Sequence, residues 1–272
     1  MVTQEQRRRQ LAREKFLRQQ QRRTAARLKS RVRNSVIASV LGVIVIGSLA
    51  LYTTGVLKGD DDKANASASA TASPSPSVAK DPCEKPAEGK VKTQNWKKEP
   101  AVTIDKSAKY TMKLATTCGD IDIALKASAA PHTVNSFDFL AGKGYFDHTK
   151  CHRLTTNGIY VLQCGDPTGS GSGGPGYTIP DENLKDTSLK NNVYPAGTIA
   201  MANTGQAHTG GSQFFLVYQD SQLPPSYTPF GTVSDSGMKV LKKIAAAGES
   251  TGAGDGAPNA TVVIDKATVA KS

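Results

Sequence analysis

Three hydrophobic regimes divide the chain. Residues 35–57 carry no charge and are apolar around the whole circumference of a helix, with Val36, Ile37, Val40, Leu41, Val43, Ile44, Val45 and Ile46 crowded together. Residues 58–100 hold few large apolar side chains. From residue 101 onward, short apolar runs recur between Gly, Pro and Asn breaks. Within this last part, 110–114 alternates, with Tyr110, Met112 and Leu114 against Thr111 and Lys113. The stretch 121–125 does the same, with Ile121, Ile123 and Leu125 against Asp122 and Ala124. Period two on both sides of Cys118-Gly119-Asp120 predicts a β-hairpin. Residues 133–142 place Val134, Phe137, Leu140 and Ala141 at helical spacing. Residues 236–247 do so with Met238, Leu241, Ile244 and Ala245, and Gly248 supplies the stop. Many short strands and two helices predict a mainly β fold, a small barrel with helices over its open ends.

The charge-free run 35–57 is about 34 Å long as a helix, enough to cross a bilayer core. It exceeds the apolar stretch of a cleaved leader, and the charged segment 58–63 precedes the Ala64-Asn65-Ala66 site. The expectation is a retained single-pass transmembrane helix. Net charge is +11, but twelve Lys/Arg and two acids lie in residues 1–34, so the remainder is nearly neutral. That asymmetry predicts a cytoplasmic arm over 1–34 and an extracytoplasmic body. The arm's expected partner is anionic lipid headgroups. Nucleic acid is not expected, since no aromatic platform is interleaved with the basic residues. The stretch 58–100 reads as an Ala/Ser/Pro-rich and polar linker, a disordered tether over 58–82 followed by polar residues 83–100, with Trp96, that are expected to drape over the folded part; 101–272 reads as the folded domain, expected as a monomer.

Cys83, Cys118, Cys151 and Cys164 all fall on the extracytoplasmic side, where an even count permits two disulfides in three connectivities. Proximity in sequence favours Cys151–Cys164. Strand parity opposes it, because an odd separation tends to send the two side chains to opposite faces. The lack of any Cys-x-x-Cys pair and the adjacency of Cys151 and His152 make zinc a poor reading. The Gly-rich run 169–177 has no Lys-Ser/Thr ending, so it is no Walker loop. No cofactor and no metal are expected.

The candidate chemistry lies in Arg153, the run Gln163 to Gly169, the run Gly197 to Asn203, and Gly211-Ser212-Gln213-Phe214-Phe215. An arginine, carboxamides and an aromatic on short strands suit gripping a peptide backbone beside an apolar pocket. They do not suit covalent catalysis. Ser212 lies outside a Gly-x-Ser-x-Gly elbow and no His has an evident Asp partner, which argues against a serine hydrolase. These blocks, recurring in order over about 109–248, resemble the cyclophilin family of peptidyl-prolyl cis–trans isomerases.

The resemblance implies a closed eight-stranded antiparallel β-barrel capped by two α-helices. It also implies rotation about X–Pro bonds in exported or cell-surface polypeptides without a covalent intermediate. It assigns Arg153 as the catalytic residue, stabilising the twisted amide. Gln163, Asn203 and Gln213 become backbone-binding amides, with Ala202 beside them. Phe215, Val161, Leu223 and Tyr160 form the proline pocket, and Tyr227 stands where the family places a pocket histidine. The chain departs from the family pattern at Cys151, a usual Phe, and at Gln222. The spacing from Arg153 to Gln163 is two residues longer, which makes Tyr160 the expected equivalent of a pocket Phe and Ile159 its substitute. The rival reading is a non-catalytic module that binds proline peptides.

Overall fold

The structure, a computed structural model, describes residues 81–272. The arm 1–34 and the apolar run 35–57 lie outside the described residues, as does the linker up to residue 80. Among the described residues no helix is long and apolar enough to cross a membrane.

Alternation in the sequence becomes a two-sided sheet. Strands β1 (Tyr110–Thr116) and β2 (Gly119–Leu125) form an antiparallel hairpin in which Met112 faces Ile123 and Leu114 faces Ile121. Helix α1 (Pro131–Gly142) starts with proline, whose missing N–H and fixed φ suit a first helical turn. It buries Val134, Phe137, Leu140 and Ala141. The short strands β3 (Thr149–Lys150), β4 (Arg153–Thr155) and β5 (Val161–Cys164) follow. Next come β6 (Val193–Tyr194), β7 (Thr198–Met201), β8 (Phe214–Val217), β9 (Ser221–Gln222) and β10 (Pro229–Val233). Helix α2 (Asp235–Ala246) is capped by Ser234, whose Oγ accepts from Gly237 N, and buries Leu241 and Ile244. Strands β11 (Asp255–Gly256) and β12 (Val263–Lys271) complete the chain.

Ten strands form one antiparallel sheet in the order β11-β4-β5-β8-β7-β10-β2-β1-β12-β3, and β6 pairs with β9 separately. The two margins of this sheet meet in a single run of chain. Thr149 and Lys150 pair with β12, Cys151 N donates to Val262 O at 3.0 Å, His152 N donates to Gln163 O at 3.1 Å, and Arg153 pairs with Gln163 on β5. The sheet is therefore curled. The resemblance implies eight strands; the ten seen here include β3 and β4, which share the run 149–155, and the two-residue β11.

The interior holds Phe137 against Phe146, Phe214 and Phe230, at centroid separations of 5.3, 5.6 and 4.6 Å. Strands β7 and β8 are buried at every position, so they are covered on both faces. Leu162, Cys164, Ile199, Met201, Phe214 and Leu216 join the main core. Their strand neighbours Val161, Ala200, Phe215 and Val217 form a second apolar cluster on the other face, with Tyr194 and Leu223. That second cluster is the floor of the site described below.

The structure pairs Cys83 with Cys118 and Cys151 with Cys164. Parity opposes the second pairing only if alternation runs unbroken. It does not: Thr149 and Cys151 are buried, then Leu154 is, so the phase changes where the chain leaves β12 for β5. The change turns Cys151 to the same inner side as Cys164. Residues 81–100, assigned to the linker by composition, are fastened to the domain. Cys83 is bridged to the β1–β2 turn, Glu84 N donates to Thr117 O at 2.8 Å, and Trp96 packs edge-on to Phe139 at 5.1 Å. This part of the linker forms a strap over the domain, anchored by one disulfide and the half-buried Trp96.

Candidate active site

Strand register brings the site together. Arg153 on β4 is opposite Gln163 on β5, Gln163 is opposite Phe215 on β8, and Phe215 is opposite Ala200 on β7. Four neighbouring strands thus place one row of residues across the outer face. Ala202 and Asn203 continue from β7, and Ala202 N donates to Gln213 O at 2.9 Å.

A hydrogen-bonded relay runs along the rim. Arg153 donates from Nε and Nη2 to the two carboxylate oxygens of Asp255, at 2.7 and 2.8 Å, and from Nη1 to Gln163 Oε1 at 3.1 Å. Gln163 Nε2 donates to Gln213 Oε1 at 2.9 Å, and Gln213 Nε2 donates to Gly173 O at 2.9 Å. Arginine can only donate, so Gln163 must turn its oxygen to Arg153 and its nitrogen to Gln213. The guanidinium therefore sets the polarity of the whole chain. Three of its five N–H groups are engaged, which leaves two for a bound peptide. The carboxylate of Asp255 raises the Arg153 pKa further, and Arg153 in turn holds Asp255 below the usual carboxylate range. The cation is permanent.

Beside Arg153 is a cavity of about 110 Å³. Its apolar walls are Ile159, Val161, Phe215 and Leu223, with Tyr227, while Ala202 and Asn203 close one side. Tyr227 meets Phe215 edge-on at 5.3 Å. Drug-sized ligands occupy clefts of about 300–1,000 Å³, so this cavity suits one small ring. It opens onto a larger polar groove of about 1010 Å³, and both share Gln163, Ala202 and Asn203.

Of the residues singled out from the sequence, Arg153, Val161, Gln163, Ala202, Asn203, Phe215, Leu223 and Tyr227 line the cavity. Gln213 lines the adjoining groove and joins the relay. The Asn203 carboxamide is engaged by the protein itself, accepting from Gly205 N in its own loop at 2.9 Å and donating to Ser226 O in the β9–β10 loop at 2.8 Å. Tyr160 is not brought to the cavity. Its ring lies 5.9 Å from Tyr218 and packs on the main core, and Ile159 takes the pocket position. The reason is parity. Ile159, Val161 and Gln163 are two apart and share a face, so the residue between them turns away. That signal was available in the sequence.

Two further residues complete the site. Asp255 is 102 positions from Arg153 in a Gly/Ala-rich loop, and nothing local marks it as a partner. Asp166 is fully buried and accepts from Thr168 N at 2.7 Å, Gly171 N at 2.6 Å and Gly173 N at 3.0 Å. It thereby shapes the Gly-rich loop that ends the relay. Burial pushes its pKa up, but the donors from Thr168, Gly173 and Gly171 outweigh burial and hold it at about 2. Gly165, next to it, has a positive φ of 87°, and any Cβ there would collide with the Ser212 carbonyl. Ser212 itself is 1% exposed and donates to Gly165 O at 2.7 Å, so it is no free nucleophile. Among the described residues no group of three or more His, Cys, Asp or Glu side chains is placed to hold a metal.

A permanent cation with two free donors beside a ring-sized apolar cavity can hydrogen-bond and polarise an amide held there. The chain is 47% identical over 192 residues to a "Probable peptidyl-prolyl cis-trans isomerase B" of Mycobacterium leprae, covering 68% of this chain and 61% of the relative. A protein of the same name from Mycobacterium tuberculosis is 47% identical over 165 residues, covering 58% of this chain and 53% of the relative. The chain thus spans somewhat over half the length of these curated relatives. A crystal structure of a Cryptosporidium parvum cyclophilin type peptidyl-prolyl cis-trans isomerase, obtained in the presence of the dipeptide Ala-Pro, is 28% identical. It superposes with a TM-score of 0.50, covering 60% of this chain and 99% of that one. The family described as "Cyclophilin type peptidyl-prolyl cis-trans isomerase/CLD" matches residues 111–269, more than half of the 272, and the chain belongs to it.

Proposed function

We propose that the chain is a membrane-tethered peptidyl-prolyl cis–trans isomerase acting on exported or cell-surface polypeptides. The observation that carries this reading is Arg153, clamped by Asp255 and Gln163, at the mouth of an apolar cavity of about 110 Å³. An X–Pro amide resists rotation by about 18–20 kcal/mol because its resonance must be broken. The proline ring enters the cavity and the two free Arg153 donors face the rotating amide. They bind its twisted form better than either planar form, which is what acceleration requires. No proton transfer and no leaving group are involved.

The test is X–Pro exchange in a short peptide, followed by NMR with the full chain added. Exchange many-fold above the uncatalysed rate is expected. Binding without acceleration would make the protein a proline-peptide module instead. The location of clients rests on residues 35–57, which carry no charge, and on the basic residues 1–34. The full chain is expected to stay with membranes through an alkaline wash, with 81–272 digestible only from the extracytoplasmic side. Digestion from the other side would remove exported clients from the proposal.

Two smaller predictions follow from the rim and the pocket. Asp255→Asn keeps the size of the side chain but removes the charge that fixes the guanidinium. It is expected to lower kcat/KM about two- to tenfold, the worth of one weakened hydrogen-bonded pair. The melting temperature should stay nearly constant, because this pair is exposed at 37% and 56%. Unchanged kinetics would show that Gln163 alone orients Arg153. Ile159→Ala removes apolar wall and is expected to raise KM about fivefold. Tyr160→Ala should instead lower stability with KM retained. The reverse pattern would return Tyr160 to the pocket.

A further inference from the structure

The groove beside the cavity is partly built by the strap, which the isomerase reading does not use. Its floor is formed by the Gly-rich loop and by Thr204 and Thr209, and its outer wall by Asn95, Lys97, Lys98 and Glu99. The wall is fixed in place. Trp96 N donates to Pro175 O at 2.8 Å, and the Trp96 ring packs on Phe139 and Tyr145 at 5.1 and 5.8 Å. The contact is so close that a Cβ on Gly176 would meet Trp96 O at 2.8 Å. Lys97 and Lys98, which directly follow this anchor in the chain, are exposed, and no ion pair among the described residues engages either. Glu99 is the one acid on the lining, and its Oε1 is 2.7 Å from His132 Nδ1.

We propose that the strap lysines make this compartment a subsite for an acidic side chain of the substrate, two or three residues from the proline. The proposal rests on the reading that the smaller cavity takes the proline ring. The two spaces share Gln163, Ala202 and Asn203, so a peptide leaving one enters the other. Two or three extended residues cover about 7–10 Å, which reaches from one space into the next. An ammonium on a rigid wall gains from a carboxylate without ordering the backbone first. Each exposed pair contributes about 0.2–1 kcal/mol. Two such pairs give a preference of about two- to thirtyfold for Glu over Gln, read in KM and in Kd.

The experiment uses the full chain and proline peptides that carry Glu, Gln or Lys two or three residues before or after the proline. Exchange rates and chemical-shift titrations are measured for each. The order Glu, then Gln, then Lys is expected at one of these positions, and the preference should shrink in 0.5 M salt, where the Debye length falls to about 4 Å. In Lys97→Gln/Lys98→Gln the Glu-to-Gln ratio should approach one, and in Lys97→Glu/Lys98→Glu it should invert. Ratios near one in the parent, or ratios that neither variant moves, overturn the subsite. Failure to accelerate exchange of the Gln peptide is a different result. It removes the isomerase reading, while the titrations still decide the subsite.

Discussion

Arg153→Ala is expected to lower kcat/KM for X–Pro exchange by about 10²–10³. A preorganised donor aimed at charge that develops in the transition state is worth about 2.7–4 kcal/mol when removed, and among the described residues Arg153 is the only cation lining the cavity. The loss should fall on kcat more than on KM, since the apolar walls that hold the ring remain. The fold should survive. Asp255, left without its partner, has a side chain 56% exposed and can be hydrated in place. Arg153→Lys should recover little. An ammonium keeps the charge, but it cannot bond both Asp255 oxygens and Gln163 in one plane while presenting donors to the peptide. In the alanine variant the relay would also lose its fixed polarity, because no donor at position 153 would compel Gln163 to turn its oxygen that way. NMR exchange and thermal melting on the two variants separate these effects. Activity of the alanine variant within twofold of the parent would show that the amide is twisted without help from the guanidinium.

What the sequence discloses about this site depends on how far each signal travels along the chain. The hairpin over 110–125 and helices α1 and α2 are legible because their apolar spacing is local and unbroken. The same period-two rule separates Phe214, in the main core, from Phe215, on the floor of the cavity. Applied at the start of β5, the sheet neighbour of β8, it selects Ile159 over Tyr160, where a preference for an aromatic points the other way. The rule fails at Cys151, because a change of sheet partner resets the phase and no residue type announces it. Asp255 is illegible for a different reason. Its loop acquires a role only when β11 pairs with β4, and that pairing joins residues about a hundred positions apart. The strap is legible only in outline. Residues 83–100 can be expected to lie over the domain, but the contacts that fasten them, Cys83 to Cys118, Trp96 to Phe139 and Glu99 to His132, join positions more than thirty apart.

Asp166→Ala should do the most damage to stability of any single change at the site. The carboxylate is fully buried and accepts three backbone N–H groups, from Thr168, Gly171 and Gly173. Removing it leaves those donors facing each other with no acceptor, at a cost of about 1–3 kcal/mol for each one that cannot reach water. Part of the loop can open to solvent, so a net loss of about 3 kcal/mol is expected, or roughly 6–12 °C in Tm. Asp166→Asn keeps an acceptor and should lose less than half of this. Both variants should also lose activity, because Gly173 O is the acceptor at the far end of the Arg153 relay. The pH dependence has a definite sign. The Asp166 pKa falls from its ordinary 3.8 to about 2 on folding, so the unfolded chain binds the proton more readily. The stabilisation is fully present above about pH 4 and is lost as pH falls through 4 toward 2. Urea unfolding at pH 7 and at pH 3 should therefore show a smaller gap between the parent and Asp166→Asn at the lower pH. A gap of equal size at both would mean that the loop is held by its backbone turns and that the carboxylate adds nothing to the relay's anchor.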